Sequence, residues 1–123
     1  MRNTVNIYKA LSDPNRVRIL MMLKHKPLCV CEIVEILGLA NSTVSKHLSI
    51  LRNADLIMDE KNGRWVNYRL ADPRESKDIS FVLTHLSQQL KEDPQIEEDH
   101  AKLSTVDRHM ICGISTPVKG AES

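Results

Sequence analysis

Three cysteines carry the most distinctive chemistry in this 123-residue sequence. Cys29 and Cys31 flank a single valine, and Cys112 lies near the C-terminal end. Thiolate sulfur selects soft metal ions and metalloids over hard ones. Because an odd number of cysteines cannot all pair within one chain, we interpret them as ligands or redox groups rather than as structural disulfides. The spacing therefore predicts a thiol site at Cys29 and Cys31.

The position of this pair in a helix has a mechanical consequence. We place Cys29 and Cys31 in the first turn of a helix expected over residues 28–37. Residues i and i+2 of a straight α-helix point about 200° apart, so both sulfurs bind one ion only if the first turn unwinds. The sequence thus predicts that ligand binding costs helical structure, and this cost is the candidate switch.

A second set of residues has the chemistry of nucleic-acid recognition. Short hydroxyl side chains and cations lie on one face of a helix and on the tip of a hairpin, and they suit close approach to a duplex groove and to phosphate. The alternative is an ordinary solvated surface, which such residues also form. The candidate DNA-binding residues are Ser42, Thr43, Ser45, Lys46, His47, Ser49, Arg52, Lys61, Asn62 and Arg64.

The elements that position both sets form a familiar arrangement. The helix over residues 28–37 ends at Gly38, and the next helix begins with Asn41 or Ser42 as its cap. Two short helices joined by a short turn with glycine indicate a helix-turn-helix. Two strand-like segments follow, and Asn62-Gly63 between them predicts a type I′ hairpin turn. A hairpin after a helix-turn-helix is the winged-helix arrangement.

Helices are expected on both sides of this motif. An apolar stripe on the helix expected over residues 72–91 predicts a dimer interface formed with the first helix; its residues are Ile79, Leu83, Leu86 and Leu90. We predict a mainly α fold with a two-stranded β-hairpin wing and helical dimerisation elements at both ends. Its parts are a winged helix-turn-helix DNA-binding and dimerisation domain (1–92), a C-terminal helical extension (93–112) and a flexible tail (113–123).

Composition and charge exclude several classes of protein. With 41% apolar and 27% charged residues, the chain has the composition of a globular protein of single-domain length. No apolar run approaches a membrane span and the N-terminus lacks a signal peptide, so we expect a cytoplasmic protein without a membrane partner. Lys and Arg number eleven against six Asp and Glu through residue 71, and six against ten afterwards. This asymmetry favours an anionic partner on one face. The sequence lacks a phosphate loop and any catalytic Ser/His/Asp order, so we expect no enzyme.

Four segments in order resemble the ArsR/SmtB family of metalloregulatory repressors. They are LSDPNRVRIL from Leu11, LCVCEI from Leu28, STVSKHL from Ser42 and GRWVNYRL from Gly63. The resemblance covers about residues 5–91 and implies a homodimeric winged-helix repressor that binds double-stranded operator DNA and releases it when a metal or metalloid binds. One departure is Asp55, where the family usually has glycine; Asp tolerates a left-handed backbone, so we expect the turn to be kept.

The resemblance also bears on the ligand. In the arsenical-sensing branch, a Cys-Val-Cys pair and a third cysteine three residues later bind trivalent arsenic or antimony; here Val34 holds that third position. The third sulfur is then either absent or supplied by Cys112. The cadmium/lead/zinc branch completes its site with N-terminal cysteines, which this sequence lacks, so arsenic is favoured. We expect no constitutive cofactor, and no zinc site at His85, whose nearest acidic neighbour on the helix is Asp78.

Two rival functions remain open at this stage. A repressor of the same fold could sense oxidants through the same thiols, with Cys112 joining in a disulfide. Alternatively, the chain could be a small thiol metal-buffering protein with no DNA role. Release of DNA by peroxide or persulfide distinguishes the first, and absence of DNA binding distinguishes the second.

Overall fold

A computed structural model describes residues 1–106 of the chain. Over this range the helices are α1 (Arg2–Ala10), α2 (Pro14–Leu23), α3 (Val30–Leu37), α4 (Asn41–Asn53), α5 (Ile79–Gln89) and α6 (Pro94–Leu103). The strands are β1 (Leu28–Cys29), β2 (Ile57–Asn62) and β3 (Trp65–Leu70). Residues 107–123, and with them the expected tail and Cys112, lie outside the described part. The expectation of a mainly α winged helix-turn-helix is confirmed.

The central helix is α2. Asp13 caps it by accepting hydrogen bonds from the backbone N–H groups of Asn15 and Arg16, and Pro14 occupies its first turn. Its apolar residues are buried on nearly every side, with Ile19 and Leu20 fully inaccessible to solvent. The helix-turn-helix packs on this core through Ile33 of α3 and Leu48 of α4.

The sheet has one strand more than the sequence predicts. β3 lies between β2 and β1, and both pairs are antiparallel. β1 consists of Leu28 and Cys29, which lie opposite Tyr68 and Asn67. The expectation that these two residues belong to the following helix is wrong, because the free edge of β3 offers them backbone partners before the helix begins at Val30.

The wing turn also differs from the prediction. The last paired residues are Asn62 and Trp65, so the two turn residues are Gly63 and Arg64 rather than Asn62 and Gly63. Gly63 has a φ of 66°, whereas Arg64 has no positive φ. A glycine at the first turn position alone is the pattern of type II′, so the expected type I′ turn is wrong. The basic tip itself is retained.

The two ends of α4 can also be compared with the prediction. Ala40, and neither Asn41 nor Ser42, is the N-cap of α4, so those two polar side chains remain on its exposed surface. After the helix, Asp55 adopts a φ of 60°, which confirms that aspartate keeps the left-handed turn.

The fifth helix begins later than the sequence predicts. Asp72 accepts hydrogen bonds from the backbone N–H groups of Arg74 and Glu75, and this closes a turn instead of starting a helix. α5 starts only at Ile79. The predicted dimerisation stripe is also wrong as an exposed face, because Ile79 and Leu86 are buried in the core of the chain itself.

The last described helix, α6, packs against α2. Asp93 is its N-cap and Pro94 lies in its first turn. Arg18 of α2 donates two hydrogen bonds, of 2.8 and 2.9 Å, to the buried carboxylate of Asp99. This bidentate pair raises the pKa of Arg18 and joins the C-terminal extension to the core. Among the described helices, none is both long and apolar enough to cross a membrane.

Candidate nucleic-acid interface and thiol site

The exposed face of α4 carries the side chains expected to approach DNA. Val44, Leu48 and Leu51 are buried against the core and so orient the opposite face outward. Because that packing fixes the rotation of the helix, the polar residues form one continuous surface. The exposed candidates on it are Ser42, Thr43, Ser45, Lys46, Ser49 and Arg52, and His47 is half-buried beside them.

Arg52 has a structural partner in addition to its predicted role. Its guanidinium Nε donates to the carboxylate of Asp59 on β2 at 3.0 Å, and Asp55 lies 3.7 Å away. These contacts join the C-terminal end of α4 to the wing. Since the pairs are exposed, they contribute little to stability, but they orient the wing relative to α4.

The base of the wing is held by a second arginine. Arg69 of β3 contacts Glu60 of β2 at 3.0 Å and forms two hydrogen bonds with Glu75. The hydrogen bonds from Arg69 lower the pKa of Glu75 to about 2. Arg69 thus forms ion pairs with two carboxylates, Glu60 and Glu75. At the tip, Lys61, Asn62 and Arg64 are exposed, and the Arg64 guanidinium lies 5.4 Å from the Trp65 ring centre.

The two cysteines of the thiol site lie in different elements. Cys29 has an extended backbone, with φ −91° and ψ 168°, and is the N-cap of α3, whereas Cys31 lies within the helix. The expectation that both lie on one helix is therefore wrong. Their side chains are not related by the i, i+2 geometry of a helix, so that geometry does not decide whether both sulfurs can bind one ion. Cys29 is 3% exposed and Cys31 is half-buried.

Cys29 is fixed by a capping box that the sequence reading missed. Its backbone N–H donates to the Glu32 carboxylate at 2.9 Å, and its sulfur accepts from the Glu32 backbone N–H. The Glu32 side chain is buried. The signal was present, because Cys-x-x-Glu matches the spacing of the Ser/Thr-x-x-Glu capping box with a thiol in place of the hydroxyl.

The state of the sulfurs differs between the two positions. Cys31 is in a disulfide, whereas Cys29 is a buried thiol. Cys112, the remaining cysteine of the sequence, lies outside the described residues. Within residues 1–106 no group of three or more His, Cys, Asp or Glu side chains is arranged to hold a metal ion.

Helices α1 and α5 together present exposed apolar side chains on the surface of the chain. Val5 and Tyr8 of α1 are 55% and 68% exposed, and Phe81 of α5 is 70% exposed. A cavity between these helices is lined by Ile7 and Tyr8 on one side and by Phe81 and Leu86 on the other. We call this the α1–α5 apolar surface.

Comparison with known proteins agrees with this geometry. The family model described as "Bacterial regulatory protein, arsR family" matches residues 13–58. The HTH-type transcriptional regulator NmtR of Mycobacterium tuberculosis is 34% identical over 105 residues, which cover 85% of this chain and 78% of that protein. The structure of HlyU from Vibrio cholerae superposes with a TM-score of 0.62 at 30% identity and covers 72% of this chain and 91% of that one.

The fold is a winged helix-turn-helix with an exposed polar face on α4. The chain belongs to the arsR family of bacterial regulatory proteins. The arsenic resistance transcriptional regulator ArsR1 of Pseudomonas putida is 42% identical over 65 residues, which cover 52% of this chain. The chain spans about half the length of ArsR1, 51%. These relatives are transcriptional regulators.

Proposed function

We propose that this chain is a transcriptional repressor that binds operator DNA as a homodimer and leaves it when trivalent arsenic or antimony binds Cys29 and Cys31. The observation that carries the DNA-binding part is the exposed polar face of α4, which packing holds outward beside a basic wing tip. A helix of this kind fits the major groove, where short side chains reach base edges. The wing tip reaches phosphates or the neighbouring minor groove.

Dimerisation is proposed from the α1–α5 apolar surface. Three large apolar side chains on it are more than half exposed, which is costly in water for a single chain. A second copy related by a two-fold axis would cover the same surface on both chains. The two α4 helices would then read half-sites about one helical turn, or a multiple of it, apart.

The arsenical inducer is proposed from the sulfur pair. Trivalent arsenic and antimony are soft, and two thiolates near each other are the ligands they prefer. The name of the relative ArsR1 refers to arsenic resistance. The third sulfur is proposed to come from Cys112, and a two-coordinate site is the alternative. We propose no constitutive cofactor and no enzymatic activity.

The switch is proposed to act through Cys29. Drawing its sulfur toward that of Cys31 removes the acceptor from the Glu32 backbone N–H and pulls on the pairing of β1 with β3. β3 belongs to the wing, and α3 supports α4. Both DNA-contacting elements are thereby disturbed, and the inducer shifts the equilibrium by the difference in its affinity for the two shapes.

A second candidate function is a redox-sensing repressor, and the disulfide at Cys31 favours it. In this reaction a peroxide accepts two electrons from two thiols, which form the disulfide, and water is released. Cys112 is the proposed second thiol. A repressor of the same fold that senses cadmium, lead or zinc through this thiol pair is the third candidate.

The deciding experiment is a gel shift with the DNA upstream of the chain's own gene. Fully reduced protein is titrated in the presence of arsenite, antimonite, cadmium, zinc or hydrogen peroxide. Release by arsenite and antimonite alone supports the proposal, and release by peroxide alone supports the redox function. If the protein binds none of this DNA but retains metal in equilibrium dialysis, it is a thiol metal-buffering protein.

A further inference from the structure

Arg16 is a buried cation whose charge has no carboxylate partner among the described residues. It lies on α2 and is 9% exposed. Its Nε donates to the Ala10 carbonyl at 2.9 Å, and one terminal nitrogen donates to the Lys9 carbonyl at 3.1 Å. Both carbonyls lie at the C-terminal end of α1, where a cation complements the helix dipole. The backbone of α1 thus holds the guanidinium in one orientation.

The third nitrogen of this guanidinium contacts α4. Its other terminal nitrogen lies 3.1 Å from Nδ1 of His47 on α4. A guanidinium can only donate hydrogen bonds, so Nδ1 of His47 must be the acceptor. The ring proton is then on Nε2, and the imidazole is a neutral donor at that nitrogen.

The surroundings of His47 are those of a contact surface. A concave surface beside the start of α4 is lined by Arg16, Ser42, Thr43, Lys46, His47 and Ile50. Hydroxyl groups and an ammonium group on such a surface suit an acceptor-rich ligand such as the edge of a DNA groove. An imidazole with a fixed Nε2–H adds one donor of defined position.

We propose that Arg16 is a positioning residue for DNA recognition, which fixes the ring orientation and tautomer of His47 so that Nε2–H donates to an acceptor on DNA. This inference rests on the DNA-binding function proposed above. The acceptor is a purine N7 or a phosphate oxygen, since both take a single donor. Arg16 itself contacts α1 and His47 and does not have to touch DNA.

The first test needs no DNA. Nitrogen-15 spectra of the His47 ring in the full chain at neutral pH report which nitrogen carries the proton. We expect protonated Nε2 and unprotonated Nδ1 in the wild type, and a mixture of both tautomers in Arg16→Lys. Arg18→Lys is the matched control, since Arg18 lies on the same helix but pairs with Asp99 of α6. A mixture already present in the wild type would overturn the inference.

The second test is a double-mutant cycle on the DNA upstream of the gene. We expect Arg16→Lys to weaken binding about tenfold, which corresponds to about 1.4 kcal/mol. In a His47→Ala background the same change should have almost no further effect, because Arg16 acts through that ring. Circular dichroism checks that each variant is folded. If Arg16→Lys weakens binding equally in both backgrounds, Arg16 does not act through His47 and the inference fails.

Modified DNA identifies the acceptor. Replacing purines by 7-deazapurines removes N7, and methylphosphonate linkages remove phosphate charge at chosen positions. One of these changes should abolish the difference between wild type and His47→Ala; if neither does, His47 does not contact DNA and the inference is overturned. A wild-type chain that binds none of this DNA overturns the proposed function, while the ring spectra still report separately on the contact between Arg16 and His47.

Discussion

Cys29 lies directly opposite Asn67 in the antiparallel pair of β1 and β3. Asn67 belongs to the strand that runs down from the wing tip and also lies opposite Glu60 of β2. The first cysteine of the proposed inducer site is therefore paired directly with a strand of the wing. In the proposed switch, a ligand that displaces Cys29 would act on the wing through backbone pairing as well as on α4 through α3.

Replacing Cys29 separates its structural role from its proposed ligand role. Serine is a good N-cap, so Cys29→Ser should keep the capping box and operator affinity but lose release by arsenite. Cys29→Ala should also lose the cap and lower the free energy of unfolding by about 1 kcal/mol. Anisotropy titrations and urea unfolding measure the two effects. A Cys29→Ser chain with weakened DNA binding would mean that the cysteine is structural only.

Removing a cation from the exposed face of α4 should reduce the electrostatic part of DNA binding. We expect Lys46→Ala to weaken binding and to lower the slope of log K against log salt by about one. Lys102→Ala is the control, because Lys102 lies on α6 and pairs with Glu98 at 3.5 Å. An unchanged slope in Lys46→Ala would place this lysine outside the interface.

The arrangement of helices and hairpin could be predicted because local signals agree with the fold. Asp13 with Pro14, and Gly38 with its φ of 71°, act within one turn of chain. The pairing of Leu28 with Tyr68 joins residues 40 positions apart, and no local pattern reports it. The burial of Ile79 and Leu86 likewise depends on which face the rest of the chain covers.

Of the site, the residue types could be predicted but their partners could not. The exposed hydroxyls and Lys46 of α4 follow from helix periodicity once Val44 and Leu48 are buried. The contact between Arg16 and His47 depends on how α2 and α4 pack, and the sequence shows only two polar residues 31 positions apart. The roles of these residues in DNA binding, and of the three cysteines in ligand binding, stay predictions.

A charge on the α1–α5 apolar surface should separate the proposed dimer. Phe81→Glu places a carboxylate where a second copy would pack, and we expect a monomer in analytical ultracentrifugation at micromolar concentration. Operator affinity should fall at least tenfold because two half-sites are no longer bound together. Val66→Glu, at an exposed apolar residue of the wing, is the control for oligomeric state. If Phe81→Glu is still a dimer, the α1–α5 apolar surface is not the dimer interface.

Breaking the buried pair between α2 and α6 should be costly. Asp99→Ala leaves the Arg18 guanidinium, whose side chain is 17% exposed, without its carboxylate. We expect a loss of about 3 kcal/mol in the free energy of unfolding, measured with urea. Glu98→Ala, which removes an exposed pair with Lys102 and a weaker charge interaction with Arg18, should cost less than about 0.5 kcal/mol. Equal losses in the two variants would contradict a structural role for α6.

Acid should weaken the packing of α6. The rings of His25 and His100 lie 3.8 Å apart between centres. Desolvation lowers the pKa of His25, and the charges of His100 and Lys24 lower it further. The unfolded chain therefore binds more protons, so stability falls as the pH drops through the ordinary histidine pKa and levels off below the lowered one. In urea unfolding between pH 7.5 and 5.5, His25→Gln should flatten the dependence of the midpoint on pH. If the variant and the wild type show the same dependence, His25 is not its cause.

We propose that the thiol ligand and operator DNA each weaken the binding of the other to this chain. Reciprocity requires that operator DNA weaken arsenite binding by the same factor by which arsenite weakens DNA binding. The most direct measurement is the arsenite affinity of the reduced wild-type protein with and without saturating operator DNA. We expect at least a tenfold weaker affinity on DNA and no arsenite response in Cys31→Ser. Equal arsenite affinities, with the DNA still bound, would contradict the account.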